Sequence, residues 1–287
     1  MVASLRTVIV KRPEEAFRNL ATNSAPSNEW QDLAWTRPPN VAIASNEHSR
    51  LVSLLHAAGA RTLCLPEDSR TGLDSLYAHD PVLITDLGAI IFQTGKPARR
   101  GEGPALADAL KGWGVPILGT IDGEATAEAG DMIWLDSRTL IVGRGFRTNK
   151  GGIERLTELL RPLGVAVIAV PLPYWSGPQD VLHLMSFISL LDSDLAVVYR
   201  RLMPVTLYEL LKEREIDLVD VPDEEYMTLG CNVLAVAPRQ LIVVAGNPMT
   251  RAGLEKAGCT VSEFEGQEIC IPGAGGPTCL TRPLLRA

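Results

Sequence analysis

Asp80 to Thr94 reads DPVLITDLGAIIFQT, two short apolar runs on either side of Asp86-Leu87-Gly88. Apolar runs rich in β-branched residues and joined by Asp/Gly turn chemistry spell a β-hairpin. A helical stretch follows, GEGPALADALKGWG (Gly101 to Gly114), and then a short apolar strand, VPILGT. The same order returns from Asp131 as MIWL, DSR, TLIVGRG, the helix GGIERLTELLRPLG and the strand VAVIAVPL. It returns from Met185 as SFISLL, DSD, LAVVY, TLYELLKERE and IDLVDVP. A further copy runs from Cys231 as NVLAVA, PR, QLIVVAG, MTRAGLEKAG and CTVSEFE. Each helix carries apolar residues at i, i+3, i+4 spacing, as with Ile153, Leu156, Leu159 and Leu160, and all but TLYELLKERE have a glycine at or near the end.

A ββαβ unit of roughly 40 to 50 residues cannot bury both faces alone, so stacking units around an axis is the economical solution. The N-terminal stretch has a strand (RTVIVKR), a helix (His48 to Gly59) and a closing strand (RTLCLP), but no hairpin partner. The C-terminal TCLTRPLL supplies one. The expected fold is therefore α/β, a five-fold pseudosymmetric propeller of ββαβ units closed by the two termini. Residues 1–287 would form a single domain; an open α/β sheet with irregular insertions is the alternative. Ala21 to Asn40 fits neither helix nor strand period, holds Trp30 and Trp35, and reads as a lid or substrate loop.

Composition narrows the function classes. With 46% apolar and 21% charged residues in 287, the chain is globular rather than disordered. A net charge of -7 and a pI near 5.2 argue against a nucleic-acid surface. No apolar run approaches the roughly 20 residues that span a bilayer, and the N-terminus lacks the apolar stretch of a signal peptide. The five cysteines are widely spaced and without a CxxC pair, which speaks for a cytoplasmic thiol protein rather than a disulfide or zinc framework. No metal and no cofactor are expected.

Several polar residues sit at the junctions between units. Cys279 follows Gly273-Ala-Gly-Gly-Pro-Thr278, where glycines permit close backbone approach to a nucleophile; the plainer reading is a buried strand cysteine. His183, in DVLHLMS, is either a core histidine or the proton carrier that thiolate chemistry needs. Glu128 and Asp131 bracket EAGD, and Asp74 and Asp80 bracket DSLYAHD; each could instead be a turn or cap residue. Arg99 and Arg147 follow the second strands of neighbouring hairpins, either as surface arginines or as a pair converging on a carboxylate.

Taken in order, VIVKRP, HDPVLIT, ARRGE, EAGDMIW, VGRGFRTNKGG, VLHL, the stretch from Asn232 through VVAGNPMTR, and GGPTCLT resemble the guanidino-modifying superfamily, and within it the dimethylarginine dimethylaminohydrolases. The resemblance runs nearly the whole length. It implies Cys279 as nucleophile, His183 as general acid/base and Glu128 as support for both histidine and guanidinium. By the same resemblance Asp80 binds guanidino nitrogens, Asp74 the substrate amino group, and Arg99 with Arg147 the α-carboxylate. The implied reaction cleaves a guanidino C–N bond through an S-alkylthiouronium intermediate, giving citrulline plus amine from an arginine or N-methylated arginine. Two departures matter. Met185 stands where deiminases carry a second aspartate, which favours the dimethylargininase-like branch. His79 stands where dimethylargininases have glutamate, so it is counted among the substrate-binding residues. The implied partner is a small guanidino compound, with a homodimer as the candidate assembly. An amidinotransferase, a hydrolase of another guanidino or ureido compound, and a non-enzymatic propeller are the competing readings.

Overall fold

The computed structural model describes residues 2–21, 28–178 and 180–287. β1 (Leu5–Val10) pairs in parallel with β2 (Arg61–Cys64). The next three-stranded sheet joins β3 (Val82–Thr85), β4 (Gly88–Phe92) and β5 (Ile117–Ile121). It is followed by β6 (Met132–Asp136), β7 (Thr139–Arg144) and β8 (Ala166–Pro171), then by β9 (Ile188–Leu190), β10 (Leu195–Val198) and β11 (Asp217–Asp220). A further sheet holds β12 (Leu234–Ala237), β13 (Gln240–Val244) and β14 (Thr260–Phe264). β15 (Arg282–Arg286) then pairs antiparallel with β1 and completes the first sheet. In every sheet the middle strand is antiparallel to one neighbour and parallel to the other, the latter reached through a crossover helix. The chain is a five-unit α/β propeller closed by its two ends, as the repeat predicts.

The middle strands explain the closure. Side chains alternate across a strand, so one buried on both faces serves two neighbours and reads as continuously apolar. Along β4, Ala89 and Ile91 pack with Ile9 and Leu110, whereas Ile90 and Phe92 pack with Leu140 and Val142 of the next unit. Along β13, Leu241 and Val243 meet Val197, while Ile242 and Val244 meet Val8 and Val10 of β1. The apolar contacts therefore pass from each unit to the next and from the last back to the first.

The crossover helices lie at Val41–Ala57, Glu102–Gly112, Lys150–Leu160, Val205–Glu213 and Pro248–Lys256. The first starts at Val41 rather than His48 because the Asn40 side chain caps it, accepting from Ile43 N at 3.1 Å. Part of the Ala21–Asn40 segment, residues 22–27, lies outside the described residues. The rest contains one helical turn (Glu29–Asp32) and a buried Trp35, which stacks on Tyr77 and meets Phe17 edge-on.

Candidate active site

Each unit brings one polar residue to the junction just before its first strand. Asp80 precedes β3, Glu128 β6, His183 β9, Asn232 β12 and Cys279 β15. Asp80, His183, Asn232 and Cys279 line one pocket, with Glu128 fully buried beneath the imidazole. Pseudosymmetry alone thus gathers residues separated by some two hundred positions, the first at 80 and the last at 279.

Cys279 is half-buried, and its Sγ accepts a hydrogen bond from Asn232 Nδ2 at 3.2 Å. The same amide's Oδ1 accepts from Thr278 N at 3.1 Å, so one side chain fixes both the thiol and the turn before it. Glycine is required in that turn: a Cβ on Gly275 would sit 2.4 Å from the Tyr77 ring, and one on Gly276 2.6 Å from the Asn232 amide. Burial, and then the Asp80 carboxylate, push the thiol up to about 11 against the opposing pull of Asn232, the Gly276 backbone and Arg99. In the ligand-free site the sulfur is a thiol at neutral pH.

His183 Nε2 lies 2.6 Å from Glu128 Oε2. Burial opposes its charge, but Asp80, Asp131 and the bond to Glu128 together raise it to about 9. The imidazolium that results holds Glu128 well below the usual carboxylate range despite complete burial, with Arg147 Nη1 helping from 3.3 Å. Asp131 receives Leu184 N at 3.0 Å, which anchors the backbone beside His183, and burial lifts its own carboxyl to about 7. Gly130 allows this packing, since a Cβ there would lie 2.5 Å from His183 Nδ1 and 3.0 Å from Asp80 Oδ1.

Asp80 accepts from Gly130 N at 3.1 Å and from Arg99 Nη1 at 2.7 Å. Buried Arg99 also gives Nε and Nη2 to Glu102 and Nη2 to the Tyr77 carbonyl, which leaves one Nη1 hydrogen uncommitted. Burial lifts Glu102 to about 7 although Arg99 opposes the shift. Asp74 accepts from Trp35 Nε1 at 2.7 Å and from Lys96 Nζ at 2.8 Å. His79 lines the pocket as a neutral ring. Its Nδ1 donates to the Thr281 carbonyl at 2.9 Å and its Nε2 accepts from Arg282 Nη1 at 3.2 Å. Burial, reinforced by the Arg282 guanidinium, pushes it down to about 3.

The sequence profile of the family described as N,N dimethylarginine dimethylhydrolase, eukaryotic, matches residues 12–286. The chain belongs to that family. A Bacillus subtilis (strain 168) relative, named uncharacterized protein YkgA, is 28% identical over 284 residues, covering 99% of this chain and 93% of its own. The N(G),N(G)-dimethylarginine dimethylaminohydrolase of Streptomyces coelicolor is 29% identical over 250 residues, 83% of this chain and 85% of its own. A solved structure of the Pseudomonas aeruginosa enzyme complexed with citrulline superposes with a TM-score of 0.78 at 23% identity, covering 97% and 99% of the two chains. That likeness shows the fold.

For this member of the dimethylarginine dimethylhydrolase family, the structure brings all eight sequence-predicted site residues to the pocket or directly against it. Three further residues, Asn232, Lys96 and Glu102, were given no role, and Asp131 was named only as the partner of Glu128 in the EAGD turn. Asn232 occupies the same junction as Asp80, Glu128, His183 and Cys279, so aligning the repeats by their first strands would have found it. Lys96 and Glu102 carry no such signal, because their partners, Asp74 and Arg99, are brought to them by the fold. One N or O from each of Asp80, Glu128 and His183 lies within 4.8 Å of the others, a spacing that a metal ion could bridge. A dication there would have to deprotonate an imidazolium raised to about 9 and sit beside Arg99 and Arg147. The same two carboxylates suit a planar organic cation better.

A pH prediction follows from the thiol. Alkylation of ligand-free protein by a neutral reagent, mapped to Cys279 by peptide mass spectrometry, should be slow at pH 7. It should rise about tenfold per pH unit, because only the thiolate reacts, and level off near the value of about 11. A plateau below pH 8 would contradict the site's electrostatics.

Proposed function

We propose that the chain is a cysteine hydrolase that cleaves a C–N bond of a guanidino compound, giving a ureido product and an amine. The observation that carries the reading is the convergence of Cys279, His183, Asp80 and Glu128 from four different units. A guanidinium is cationic and resonance-stabilised. It needs carboxylates to hold it and a strong nucleophile at its carbon. Asp80 and Glu128 would supply the first, and Cys279 the second.

The bound cation solves the thiol problem. Burial and Asp80 favour the neutral sulfur in the empty site, whereas a guanidinium seated over it stabilises the thiolate, the thiol proton leaving to solvent because His183 is already protonated. Cys279 Sγ then attacks the guanidino carbon. As the tetrahedral adduct collapses, His183 delivers its proton to the departing amine and the C–N bond breaks. The S-alkylthiouronium that remains is attacked by a water whose proton passes to the now neutral His183. Collapse forms the ureido C=O as the hydroxyl proton passes to the departing sulfur, which returns Cys279 as the thiol. With Met185 in place of a second carboxylate, the nitrogen beside it is gripped less tightly and has room for an N-substituent. If the substrate is an arginine or N-methylated arginine, the product is citrulline. Arg147, with the last Nη1 hydrogen of Arg99, would take an anionic tail. His79 would act on substrate by positioning Thr281 and Arg282 and by removing a negative charge from the pocket.

Residues 1–287 are read as one domain, on the strength of the ring closed by both ends. The 21–40 segment is read as a substrate loop because Leu33 and Ala34 reach the pocket wall. A cytoplasmic setting accords with five free thiols, and no helix among the described residues is long and apolar enough to cross a membrane. The test is a panel of arginine, monomethyl- and dimethylarginine, agmatine and ω-guanidino carboxylates, scored for ureido product and amine in equal amounts. At least one should be turned over with that stoichiometry. No ureido product from any of them, or transfer of the amidino group to an added amine in preference to water, would sink the reading.

A further inference from the structure

One end of the pocket already contains a cation of the chain's own. Lys96 Nζ donates to Asp74 Oδ2 at 2.8 Å and to the Leu33 carbonyl at 2.6 Å. The other Asp74 oxygen accepts from Trp35 Nε1 at 2.7 Å, and Arg99 Nε stands 4.0 Å from the first. Both oxygens of this buried carboxylate are therefore engaged, and its charge is balanced from within the chain. The arrangement is built rather than incidental. Trp35 is clamped between Phe17 and Tyr77, which fixes the Leu33 carbonyl nearby. Gly95, just before Lys96, packs so tightly that a Cβ would lie 2.6 Å from the Arg147 carbonyl oxygen. The Lys96 carbonyl accepts from Arg99 N at 2.9 Å, and its side chain is mostly buried.

A ligand ammonium entering this end finds no acceptor without evicting Lys96, and eviction sets two like charges beside one carboxylate. Of the other two carboxylates on the pocket wall, Asp80 is held by Arg99 and Gly130 and faces the guanidinium, and Asp180 lies with Trp175 and Tyr226, where its Oδ1 accepts from Val181 N. A ligand carboxylate meets the opposite situation. It is offered the third N–H of Lys96, the Nε and Nη2 donors of Arg147, which have no partner among the described residues, and the last Nη1 hydrogen of Arg99.

We infer that the pocket takes an ω-guanidino carboxylate without an α-ammonium, Lys96 on Asp74 filling the place where an amino-acid ammonium would have to bind. This rests on the guanidino-hydrolase reading and narrows its substrate class. It also bears on neighbouring chemistry: such a substrate is supplied by removing the α-amine of a guanidino amino acid, by oxidising the amine end of an ω-guanidino amine, or by adding an amidino group to an ω-amino acid.

The test uses two ligands of equal chain length, arginine and its des-amino analogue, titrated calorimetrically into the Cys279→Ser protein so that no chemistry intervenes. The des-amino acid should bind at least tenfold more tightly. Adding Lys96→Met should weaken the des-amino acid by tenfold or more and strengthen arginine, reversing the order. Arginine binding as well as its analogue, an order unchanged by Lys96→Met, or no measurable binding of either would overturn the inference. Turnover is read separately on the wild type. Tight binding of the des-amino acid without ureido product sinks the hydrolase reading and leaves the ligand class standing.

Discussion

Cys279→Ser is expected to reduce turnover at least about a thousandfold while leaving the fold and ligand affinity in place. A serine oxygen can keep the contact with Asn232 Nδ2, so the turn from Gly273 to Thr278 has no reason to rearrange. What it cannot do is ionise beneath a bound guanidinium at neutral pH. Acid-quenched wild-type protein, mixed with a turned-over substrate, should carry on the Cys279 peptide the mass of that substrate less its departed amine, and the serine protein none. The remaining cysteines are poor rivals. Cys231, Cys259 and Cys270 are buried and pushed towards the thiol by that burial, and Cys64 sits on β2 rather than on the pocket wall. Retention of more than a tenth of the activity, or an adduct on any other cysteine, would remove Cys279 from the mechanism.

Much of this architecture was readable because the propeller repeats a strong local signal. The DPVLITDLGAIIFQT hairpin and its copies announce themselves, since middle strands that serve two neighbouring cores are apolar along most of their length. Ring closure was readable from a strand lacking a partner at one end and a spare strand at the other. The start of the first helix was not. Its cap, Asn40, lies in a polar stretch whose capping role depends on one hydrogen bond. In the site, Cys279, His183, Glu128 and Asp80 were found through ordered motifs, whereas Asn232 stood at the head of a matched stretch without a role, because an amide has no titration to attract notice. Contacts such as Lys96 with Leu33 and Asp74 link stretches far apart in sequence, and nothing local encodes them. Arg99 shows the same limit from the other side. Resemblance implies a grip on substrate carboxylate, yet all but one of its N–H groups hold Asp80, Glu102 and the Tyr77 carbonyl.

Replacing His183 by alanine should cost about a hundred- to ten-thousandfold in turnover, and the two halves of the reaction should fail unequally. Amine departure needs a proton because the free leaving group is strongly basic. An S-alkyl isothiourea expels a thiolate that needs none. With that substrate the variant should still form the Cys279 adduct but hydrolyse it slowly, so the adduct accumulates to a stoichiometric level in the quenched protein. Added imidazole should enter the space beside Gly130 and restore part of the hydrolysis, which a merely structural loss would not allow. Stability offers an independent reading. In the folded protein His183 is raised to about 9, above its ordinary value of about 6.5. Its charge therefore stabilises the fold fully below the ordinary value, and that contribution disappears as pH rises through 9. The gap in melting temperature between wild type and variant should narrow over that window. A constant gap, together with no accumulation of adduct, would mean that the imidazole on Glu128 is packing rather than a proton carrier.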